Sequence, residues 1–411
     1  MNRFNPLQPD VLQNPYPHYA WYREHEPVHW GMPGDPGTPG TWYLFLHKDV
    51  APALKDPRLG REIRAVLQRE KPEAVQPIVP EFVPLQQMMD RWMFLRDPPT
   101  HTRLRGLVNK AFVPRVVEPL FPSIVAGADQ LIDAVIDSGH MDLIADFAKL
   151  LPVFAIAELL GVPAEDHQLF LPWSNALATT IEFKQTDEVR RNGTQAMNAM
   201  MAYLRDLIAE RRKQPREDLV TGLIRAEDGG HALSEDEVLA TITLLLSAGN
   251  DPTQHMIGNA VLTLLRHPQQ LKQLLNDFTL LESANDELLR FDSSVQATFR
   301  YALEDVEIGG KQIRMGDHVA LVFGSALRDP AYCAQPDELN LTRTNNRLPF
   351  GFGPHFCLGM PLARPMGRIA LERLLRRLPH LKLQIPPNEV AWEERVAVRG
   401  VMTLPVSFGL N

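Results

Sequence analysis

The chain has 411 residues, with 50 acidic and 42 basic side chains, a formal net charge of −8 and a sequence pI of about 5.9. This balance argues against a protein built mainly to bind nucleic acid, and 22% charged with 45% hydrophobic residues excludes a disordered chain. The two cysteines, Cys333 and Cys357, exclude a disulfide scaffold and a zinc or iron–sulfur site with several thiolates.

Targeting and membrane signals are not visible in the sequence. Residues 1–20 are polar and interrupted by proline, without a basic start followed by an apolar stretch. No uninterrupted apolar run approaches the roughly 20 residues that span a bilayer. The sequence therefore predicts a cytoplasmic protein without a membrane span.

The first part of the chain contains a short aromatic strand at 42–46 between two proline-rich loops, 33–39 and 71–84. Helical periodicity begins at 101–112, where Leu104, Leu107 and Val108 share one face. The same periodicity predicts further helices at 119–137, 143–160 and 197–213.

A long buried helix is predicted in the middle of the chain. Ser234, with Glu237 three residues later, forms a capping-box pattern that opens the apolar segment 238–265. Pro252 lies inside this segment, so it must kink the helix or remove a backbone hydrogen bond.

After the central helix, the pattern predicts a helix at 268–290, hairpin strands within 306–323 and a last helix at about 359–378. The hairpin turns are expected at Gly309-Gly310 and at Met315-Gly316. Helices outweigh strands, and no composition shift marks a boundary. We therefore expect one mainly α domain with small β-sheets, spanning residues 1–411.

Cys357 carries the strongest chemical signal, within Phe350-Gly351-Phe352-Gly353-Pro354-His355-Phe356-Cys357-Leu358-Gly359. Three glycines permit tight turns around it, and the helix that follows presents unpaired N–H groups that stabilise a thiolate. A buried free thiol is the ordinary state of a lone cysteine, but these neighbours favour a thiolate presented on a rigid turn. Cys333 has no such neighbours, so we expect it to be a partly buried free thiol.

The Cys357 segment resembles the haem-binding loop of cytochrome P450 monooxygenases, and the resemblance extends over nearly the whole chain, closest to the soluble bacterial members. It implies a P450-type fold that holds haem b (iron protoporphyrin IX) between the long central helix and the cysteine loop. Cys357 would be the axial iron ligand. Further haem contacts implied by the resemblance are Phe350, Gly351 and Gly359 on the loop and Ala248 on the central helix.

Two further sets of residues match motifs of that family. Glu287 and Arg290 match its Glu-x-x-Arg pair, and Arg343 stands where the family has the pair's later arginine partner, so a structural role is implied. Haem has two propionates and therefore needs cations along one edge. The family's propionate-binding positions are occupied by His101, Arg105, Arg300 and His355.

The stretch from Ala248 to Thr253 resembles the family's oxygen-binding segment, with one departure. Gly249 would let the helix backbone pass close to the haem, and Asp251 matches the family's acid. The threonine that normally follows is replaced by Pro252, and Thr253 is turned by about 100° from that position.

Three interpretations of this departure remain. Water or a substrate hydroxyl replaces the threonine, Thr253 turns inward because the proline shifts the helix register, or the enzyme uses peroxide or performs chemistry other than hydroxylation. The third ranks last, because peroxide-using members tend to carry arginine where this chain has Asp251. A haem-binding recruiting or sensing module without turnover is the alternative from another functional class.

The resemblance also implies the substrate and the partners. An apolar pocket for a hydrophobic small molecule, such as a natural-product intermediate, would be lined by Met88, Met89, Leu245, Val295, Ala297 and Met402. Electrons would come from a ferredoxin or flavodoxin and its NAD(P)H-dependent reductase, which would dock on a basic patch. Candidates for that patch are Arg61, Arg64, Arg364 and Arg368. We expect a monomer that binds no nucleic acid.

Overall fold

The computed structural model describes residues 4–33, 40–70, 72, 75, 77–180, 186–344 and 348–409, and helices predominate within these ranges. The α-helices are α1 (Pro9–Gln13), α2 (Tyr16–His25), α3 (His47–Ala53), α4 (Ile63–Glu70), α5 (Val83–Met89), α6 (Thr100–Ala111), α7 (Pro114–Val117), α8 (Phe121–Ile136), α9 (Leu150–Leu160), α10 (His167–Thr179), α11 (Asp187–Lys213), α12 (Leu219–Arg225), α13 (Glu235–Arg266), α14 (Pro268–Asn276), α15 (Leu281–Phe291), α16 (Phe323–Ala326) and α17 (Met360–Arg377). The mainly helical fold predicted from the sequence is confirmed.

The strands are short and form small sheets. They are β1 (Val28–Gly31), β2 (Thr41–Leu44), β3 (Leu59–Gly60), β4 (His140–Asp142), β5 (Glu227–Asp228), β6 (His231–Ala232), β7 (Ala297–Ala302), β8 (Val306–Ile308), β9 (Lys311–Ile313), β10 (His318–Val322), β11 (Lys382–Leu383) and β12 (Pro405–Ser407). The largest sheet has the order β1-β2-β10-β7-β3, and a second has the order β11-β12-β4. The pairs β5–β6 and β8–β9 are separate hairpins.

The prediction for 306–323 is correct for only one of its two turns. β8 and β9 form the hairpin around Gly309-Gly310, with Val306 opposite Ile313. The turn at Gly316 sends β10 away from that hairpin, between β2, to which it is parallel, and β7, to which it is antiparallel. All five residues of β10 are buried, and pairing on both sides satisfies the backbone groups of such a strand.

Helix α13 is the long central helix that the sequence predicts. Ser234 accepts a hydrogen bond from the Glu237 N–H, and the Glu237 side chain accepts one from the Ser234 N–H, so the capping box is present. Pro252 lies inside α13, which continues as an α-helix on both sides of it. This continuity does not support the register shift that is one of the three interpretations of Pro252.

Two helices differ from their predicted bounds because of capping side chains. The predicted helix 268–290 is divided into α14 and α15, since Asp277 adopts an extended backbone and accepts a hydrogen bond from the Thr279 N–H at 2.9 Å. The predicted helix 197–213 begins earlier, at Asp187, because Thr186 caps the Val189 N–H. The loop at 34–39 lies outside the described residues.

The hydrophobic core has one large and two smaller parts. The large core lies among α8, α9, α11, α13 and α17, and includes Ile124, Ile156, Leu204 and Leu374. A smaller apolar cluster under the five-stranded sheet includes Leu44 and Leu321. A third, aromatic cluster joins α2 to the same sheet through Tyr22 and Phe45, whose rings stack 4.9 Å apart.

One segment, Pro114–Ile136, is long and apolar enough to cross a membrane by length and composition alone. Its second half is α8, and two of its carboxylates bind arginines of α17. Asp129 pairs with Arg373 at 2.7 Å, and Asp133 pairs with Arg377 at 2.5 Å. These ion pairs attach α8 to the rest of the folded chain.

Candidate functional site

The loop before α17 presents Cys357 on a tight turn. Gly351 and Gly353 have φ values of +73° and +74°, a left-handed conformation that side chains disfavour. A Cβ on Gly353 would lie 2.9 Å from Lys55 Cγ and 3.0 Å from the carbonyl oxygen of Leu54. The Cys357 N–H donates to the Phe350 carbonyl at 2.9 Å, which closes the loop. The glycines predicted as turn residues are therefore required by backbone geometry.

The Cys357 sulfur lies at the N-terminus of α17. Burial raises the pKa of the Cys357 thiol, and hydrogen bonds from the Gly359 and Met360 N–H groups and the nearby Arg105 guanidinium oppose this rise without cancelling it. Gly359 is the N-cap residue of α17, and a Cβ on this residue would lie 3.9 Å from Cys357 Sγ. Helix N–H groups aimed at the sulfur favour the anion, which is the form that binds iron.

One face of α13 is accessible although its flanks are buried. Ala248 is exposed, and Leu245 and Pro252 are partly exposed, at spacings that place all three on one helix face. Gly249 points elsewhere, because a Cβ there would lie 2.8 Å from Ile156 Cδ1 of α9. The predicted reason for Gly249 is thus wrong in part, since the close approach that it permits is to α9.

The four predicted propionate-binding cations meet in one place. The His101 and His355 rings lie 4.3 Å apart. Burial, together with Arg61, Arg300, His101 and Arg105, lowers the pKa of His355 to about 2. Burial also lowers the pKa of Arg300 to about 10. The pKa of His101 is lowered as well, so both imidazoles are neutral near pH 7 and the charge of this cation cluster comes from Arg61, Arg105 and Arg300. Guanidiniums that face one another favour the binding of an anion between them.

These features fit a haem group. A thiol supported by helix N–H groups suits an iron ligand, and a small-residue face on α13 suits a flat ligand. The buried Nδ1 atom of His101 has no hydrogen-bond partner among the described residues, as expected of a group that binds a ligand carboxylate.

The Glu-x-x-Arg residues form a buried ion triad. Arg290 donates to both carboxylate oxygens of Glu287, at 2.7 and 2.9 Å, and Arg343 Nε donates to Glu287 Oε1 at 3.2 Å. Arg290 also donates to the carbonyls of Leu327 and Pro336. The triad therefore fixes the irregular segment that leads to the cysteine loop onto α15.

Asp251 lies in a polar network that the sequence reasoning missed. Arg395 donates to both of its carboxylate oxygens, at 2.8 and 2.7 Å, and His255 Nε2 lies 3.3 Å from Asp251 Oδ1. Glu393 Oε2 lies 3.5 Å from the same His255 nitrogen. Burial acts to raise the pKa of Asp251, but hydrogen bonds from His255 and Arg395 outweigh it and hold that pKa below its usual range.

The network was visible in the sequence only in part. His255 follows Asp251 by four residues and so shares its helix face, which is a signal that could have been used. Arg395 is 144 positions away, and no local pattern brings it to α13. Gly400 packs directly against the His255 ring. A Cβ on residue 400 would lie 1.7 Å from His255 Nδ1, so the ring leaves no space for a side chain at this position.

Thr253 does not stand in for the missing threonine in this structure. Its hydroxyl donates to the Gly249 carbonyl of the same helix at 2.7 Å. Pro252 has no N–H for the helix, and its ring lies on the partly exposed face next to Ala248.

Five of the six predicted pocket residues are buried or partly buried, and the sixth, Met402, is exposed. Met88, Met89 and Ala297 are buried, Leu245 is on the accessible face of α13, and Val295 forms a β-bridge with Val398. Met402 is 53% exposed, so its prediction as a pocket residue is wrong. Trp392 and Val401 form a β-bridge, and the Met402 N–H donates to the Ala391 carbonyl at 2.9 Å, so the backbone of Met402 continues this pairing while its side chain faces solvent.

The predicted basic docking patch is wrong for Arg61. This residue is directed into the cation cluster, where burial and the charge of Arg300 lower its pKa. Arg364 forms a bidentate ion pair with Asp286, at 2.7 Å for each oxygen, and Arg368 lies 3.4 Å from Glu372, so carboxylates offset the charge of both. Arg64 is on α4. Cys333 is buried and free, as predicted.

The fold and the Cys357 site together define a haem-thiolate oxidoreductase. The cytochrome P450 family model matches residues 60–405. The chain is 36% identical over 407 residues to the polyketide biosynthesis cytochrome P450 PksS of Bacillus subtilis (strain 168), covering 98% of each protein. It is 39% identical over 401 residues to a vitamin D(3) 25-hydroxylase of Pseudonocardia autotrophica, covering 97% of this chain and 94% of that one.

A solved structure shows the same fold. The complex of P450BioI with an acyl carrier protein ligated to hexadec-9Z-enoic acid aligns with a TM-score of 0.87 and 34% identity, covering 97% of this chain and 99% of that chain. The chain belongs to the cytochrome P450 family, and it is a monooxygenase that binds haem iron. The alternative of a haem module without turnover is not supported, because its relatives are named as hydroxylases and monooxygenases.

Proposed function

We propose that residues 1–411 act as one domain that binds haem b through Cys357 and uses dioxygen to oxidise a hydrophobic small molecule. The observation that carries this proposal is the position of the Cys357 sulfur, which receives hydrogen bonds from the Gly359 and Met360 N–H groups beside a cluster of cations. A sulfur held in this way is suited to be a thiolate ligand.

Each part of the site has a proposed role. Cys357 would bind the haem iron as a thiolate, and His101, Arg105, Arg300 and His355 would bind the haem carboxylates. The buried triad around Glu287 keeps the cysteine loop in place. The haem contacts on the loop and on α13 are Phe350, Gly351, Gly359 and Ala248. When bound, thiolate-ligated haem supplies the electron donation that favours O–O cleavage.

Proton supply must differ from the family pattern. Thr253 keeps its hydroxyl on the Gly249 carbonyl, and Pro252 has no hydroxyl to offer. We propose that a water molecule or a hydroxyl of the substrate occupies the space beside Pro252, and that the ionised Asp251 carboxylate orients the group that carries the proton. An acid at position 251, where peroxide-using members tend to have arginine, supports the use of dioxygen.

The Pro252→Thr variant tests this proton supply. We expect the added hydroxyl to change the fraction of consumed electrons that appears in product, because it competes with the water or substrate hydroxyl for that position. Product and hydrogen peroxide are measured against NAD(P)H consumed, with the true substrate. The proposal is wrong if this fraction is unchanged in Pro252→Thr and Asp251→Asn has no effect either.

The substrate class is proposed from the pocket and the relatives. Met88, Met89, Leu245, Val295 and Ala297 give apolar surface, which suits a hydrophobic ligand. Relatives are named for polyketide biosynthesis and for vitamin D(3) hydroxylation. We therefore propose a natural-product intermediate of polyketide, terpenoid or fatty-acyl type, either free or, as in the P450BioI complex, bound to a carrier protein.

A titration of the ferric protein identifies the substrate class. Terpenoids, fatty acids, macrolactones and aromatic amides are added, and the low-to-high-spin absorbance shift is followed. We expect saturable shifts with apolar ligands of one class. If free ligands give no shift and the same acyl chains on a carrier protein do, the carrier-bound substrate is favoured. If neither gives a shift, the proposal of a hydrophobic substrate fails.

The partners follow from the same function. We propose that a ferredoxin or flavodoxin and its NAD(P)H-dependent reductase supply the electrons to a monomeric cytoplasmic enzyme. Since Arg364 and Arg368 are already paired with carboxylates, the docking surface must include other cations or tolerate loss of those ion pairs. Product formation with ferredoxin compared with flavodoxin distinguishes the two donors.

A further inference from the structure

Arg61, which the sequence suggested was part of a docking surface, is partly exposed, and its guanidinium is directed into the protein. Its backbone N–H donates to both carboxylate oxygens of Asp97, at 3.1 and 2.8 Å. Its guanidinium carbon lies 3.8 Å from the centre of the Phe94 ring, and its Nη2 donates to Thr298 Oγ1 at 2.8 Å. These contacts direct the guanidinium towards β7, away from the surface.

A second guanidinium meets Arg61 at the same oxygen. Arg300 Nη1 lies 3.4 Å from Thr298 Oγ1, so the two like charges converge on one hydroxyl group. Burial and the charge of Arg300 both lower the pKa of Arg61, and Arg61 in turn lowers the pKa of His355. Buried like charges that face each other are unfavourable unless an anion lies between them.

The nearby carboxylates supply this anion only in part. The charge of Asp97 acts on both Arg61 and Arg300, but its hydrogen bonds are to the backbone N–H groups of Arg61 and Glu62 and not to a guanidinium. Glu62 accepts from the Asp97 N–H and pairs with Arg96 at 2.9 Å. The Nε atom of Arg61 is buried without a hydrogen-bond partner in the described part of the chain, as is His101 Nδ1. Both atoms belong to the same cation cluster.

We propose that Arg61 binds a propionate carboxylate of the haem, as a fifth cation beside the four that the family motifs indicate. The proposal rests on haem binding at Cys357. Nε and Nη2 of Arg61 offer a planar pair of donors that matches a carboxylate, and Arg300 faces the same position. It also predicts that Arg61 destabilises the protein before haem binds, since its charge then lies against Arg300 without an anion.

The test uses Arg61→Met and, as a matched control, Arg58→Met, which removes an exposed arginine from the same segment. Haem transfer to excess apomyoglobin is followed by absorbance. We expect haem loss from Arg61→Met to be at least about tenfold faster than from the wild type, since a hydrogen-bonded charge pair is lost. Haem loss from Arg58→Met should match the wild type. Equal rates for Arg61→Met and the wild type would overturn the proposal.

Two further measurements separate carboxylate binding from a structural role. When the wild type and Arg61→Met are loaded with haem dimethyl ester, whose propionates are uncharged, the difference between their rates of haem loss should disappear. The haem-free form of Arg61→Met should melt no lower than the haem-free wild type, because a buried repulsion is removed. A variant that melts lower without haem and loses the ester faster as well would show that Arg61 is only structural.

The remaining outcomes are also decisive. If Arg61→Met does not fold, Arg61→Lys replaces it in the test, because lysine keeps the charge without the planar pair of donors. The rate of haem loss from Arg61→Lys should lie between the wild-type rate and the rate expected for Arg61→Met. Wild-type rates for Arg61→Lys would overturn the role of the planar donors. If the wild type binds no haem, the proposed function fails as a whole, which is distinct from a failure at Arg61.

Discussion

The Glu287→Gln variant is expected to lose about 3–5 kcal/mol of stability, which for a chain of this size corresponds to a fall in Tm of roughly 4–6 °C. Glu287 has no exposed side-chain surface and is the single carboxylate between Arg290 and Arg343 in the buried triad. Glutamine keeps the shape but removes the charge, so two guanidiniums remain close together without their counter-ion. We also expect a lower haem content, because Arg290 holds the carbonyls of Leu327 and Pro336.

Circular dichroism melting and the haem-to-protein absorbance ratio check this expectation. The matched control is Glu282→Gln, which removes a carboxylate of the same helix whose side chain is 70% exposed. A surface ion pair contributes about 0–1 kcal/mol, so the control should melt within about 1 °C of the wild type. A Glu287→Gln protein that melts like its control would contradict a structural role for the triad.

The Arg395→Met variant is expected to have the second large effect, because it leaves the buried Asp251 carboxylate without its bidentate partner. Loss of one partner of a buried ion pair costs about 3–5 kcal/mol. The side chains of Asp251 and Arg395 are only 8% and 12% exposed, so solvent screens this pair weakly. In the variant, burial raises the pKa of Asp251, and the contacts from His255 and Gln254, at 3.3 and 3.1 Å from Oδ1, remain to oppose it.

The stabilisation by the Asp251–Arg395 ion pair depends on pH. In the wild type the folded pKa of Asp251 is below the value of about 3.9 in the unfolded chain, so the pair stabilises the protein above that pH. This stabilisation is lost as the pH falls from about 5 towards 2. The difference in Tm between the wild type and Arg395→Met should therefore be largest near neutral pH and should narrow with acid.

A double-mutant cycle isolates the pair. Asp251→Asn with Arg395→Met removes both charges, and it should be more stable than Arg395→Met alone. A difference in Tm that is constant with pH, or single-variant effects that simply add, would show that Arg395 does not act through Asp251. The same variants report on proton supply, since hydrogen peroxide released per electron should change with both single substitutions.

Local sequence patterns predicted the parts of the site that depend on neighbours in the chain. The turn at Gly351 and Gly353, the N-terminal position of Cys357 before α17 and the capping box at Ser234 all arise from backbone rules over a few residues. The family motifs added contacts between distant residues, such as that of Arg343 with Glu287. The mainly helical fold followed from periodicity.

Residues whose role depends on distant packing were not predictable in this way. Arg395 reaches Asp251 from a loop near the end of the chain, and Arg61 meets Arg300 because β3 pairs with β7. Both arginines look like surface cations in the sequence. The prediction for Met402 failed for the opposite reason, since this apolar residue lies beside the Trp392–Val401 bridge but its side chain is directed to solvent.

We propose that Cys357 binds haem iron as a thiolate, and the spectrum of the reduced carbon monoxide complex is the decisive test. The purified wild-type protein, reduced and exposed to carbon monoxide, should show the strongly red-shifted Soret band typical of thiolate-ligated haem. Cys357→His should lose that band and show the band of a histidine-ligated haem protein instead. A wild-type protein without the red-shifted band, or a Cys357→His protein with an unchanged spectrum, would contradict the account.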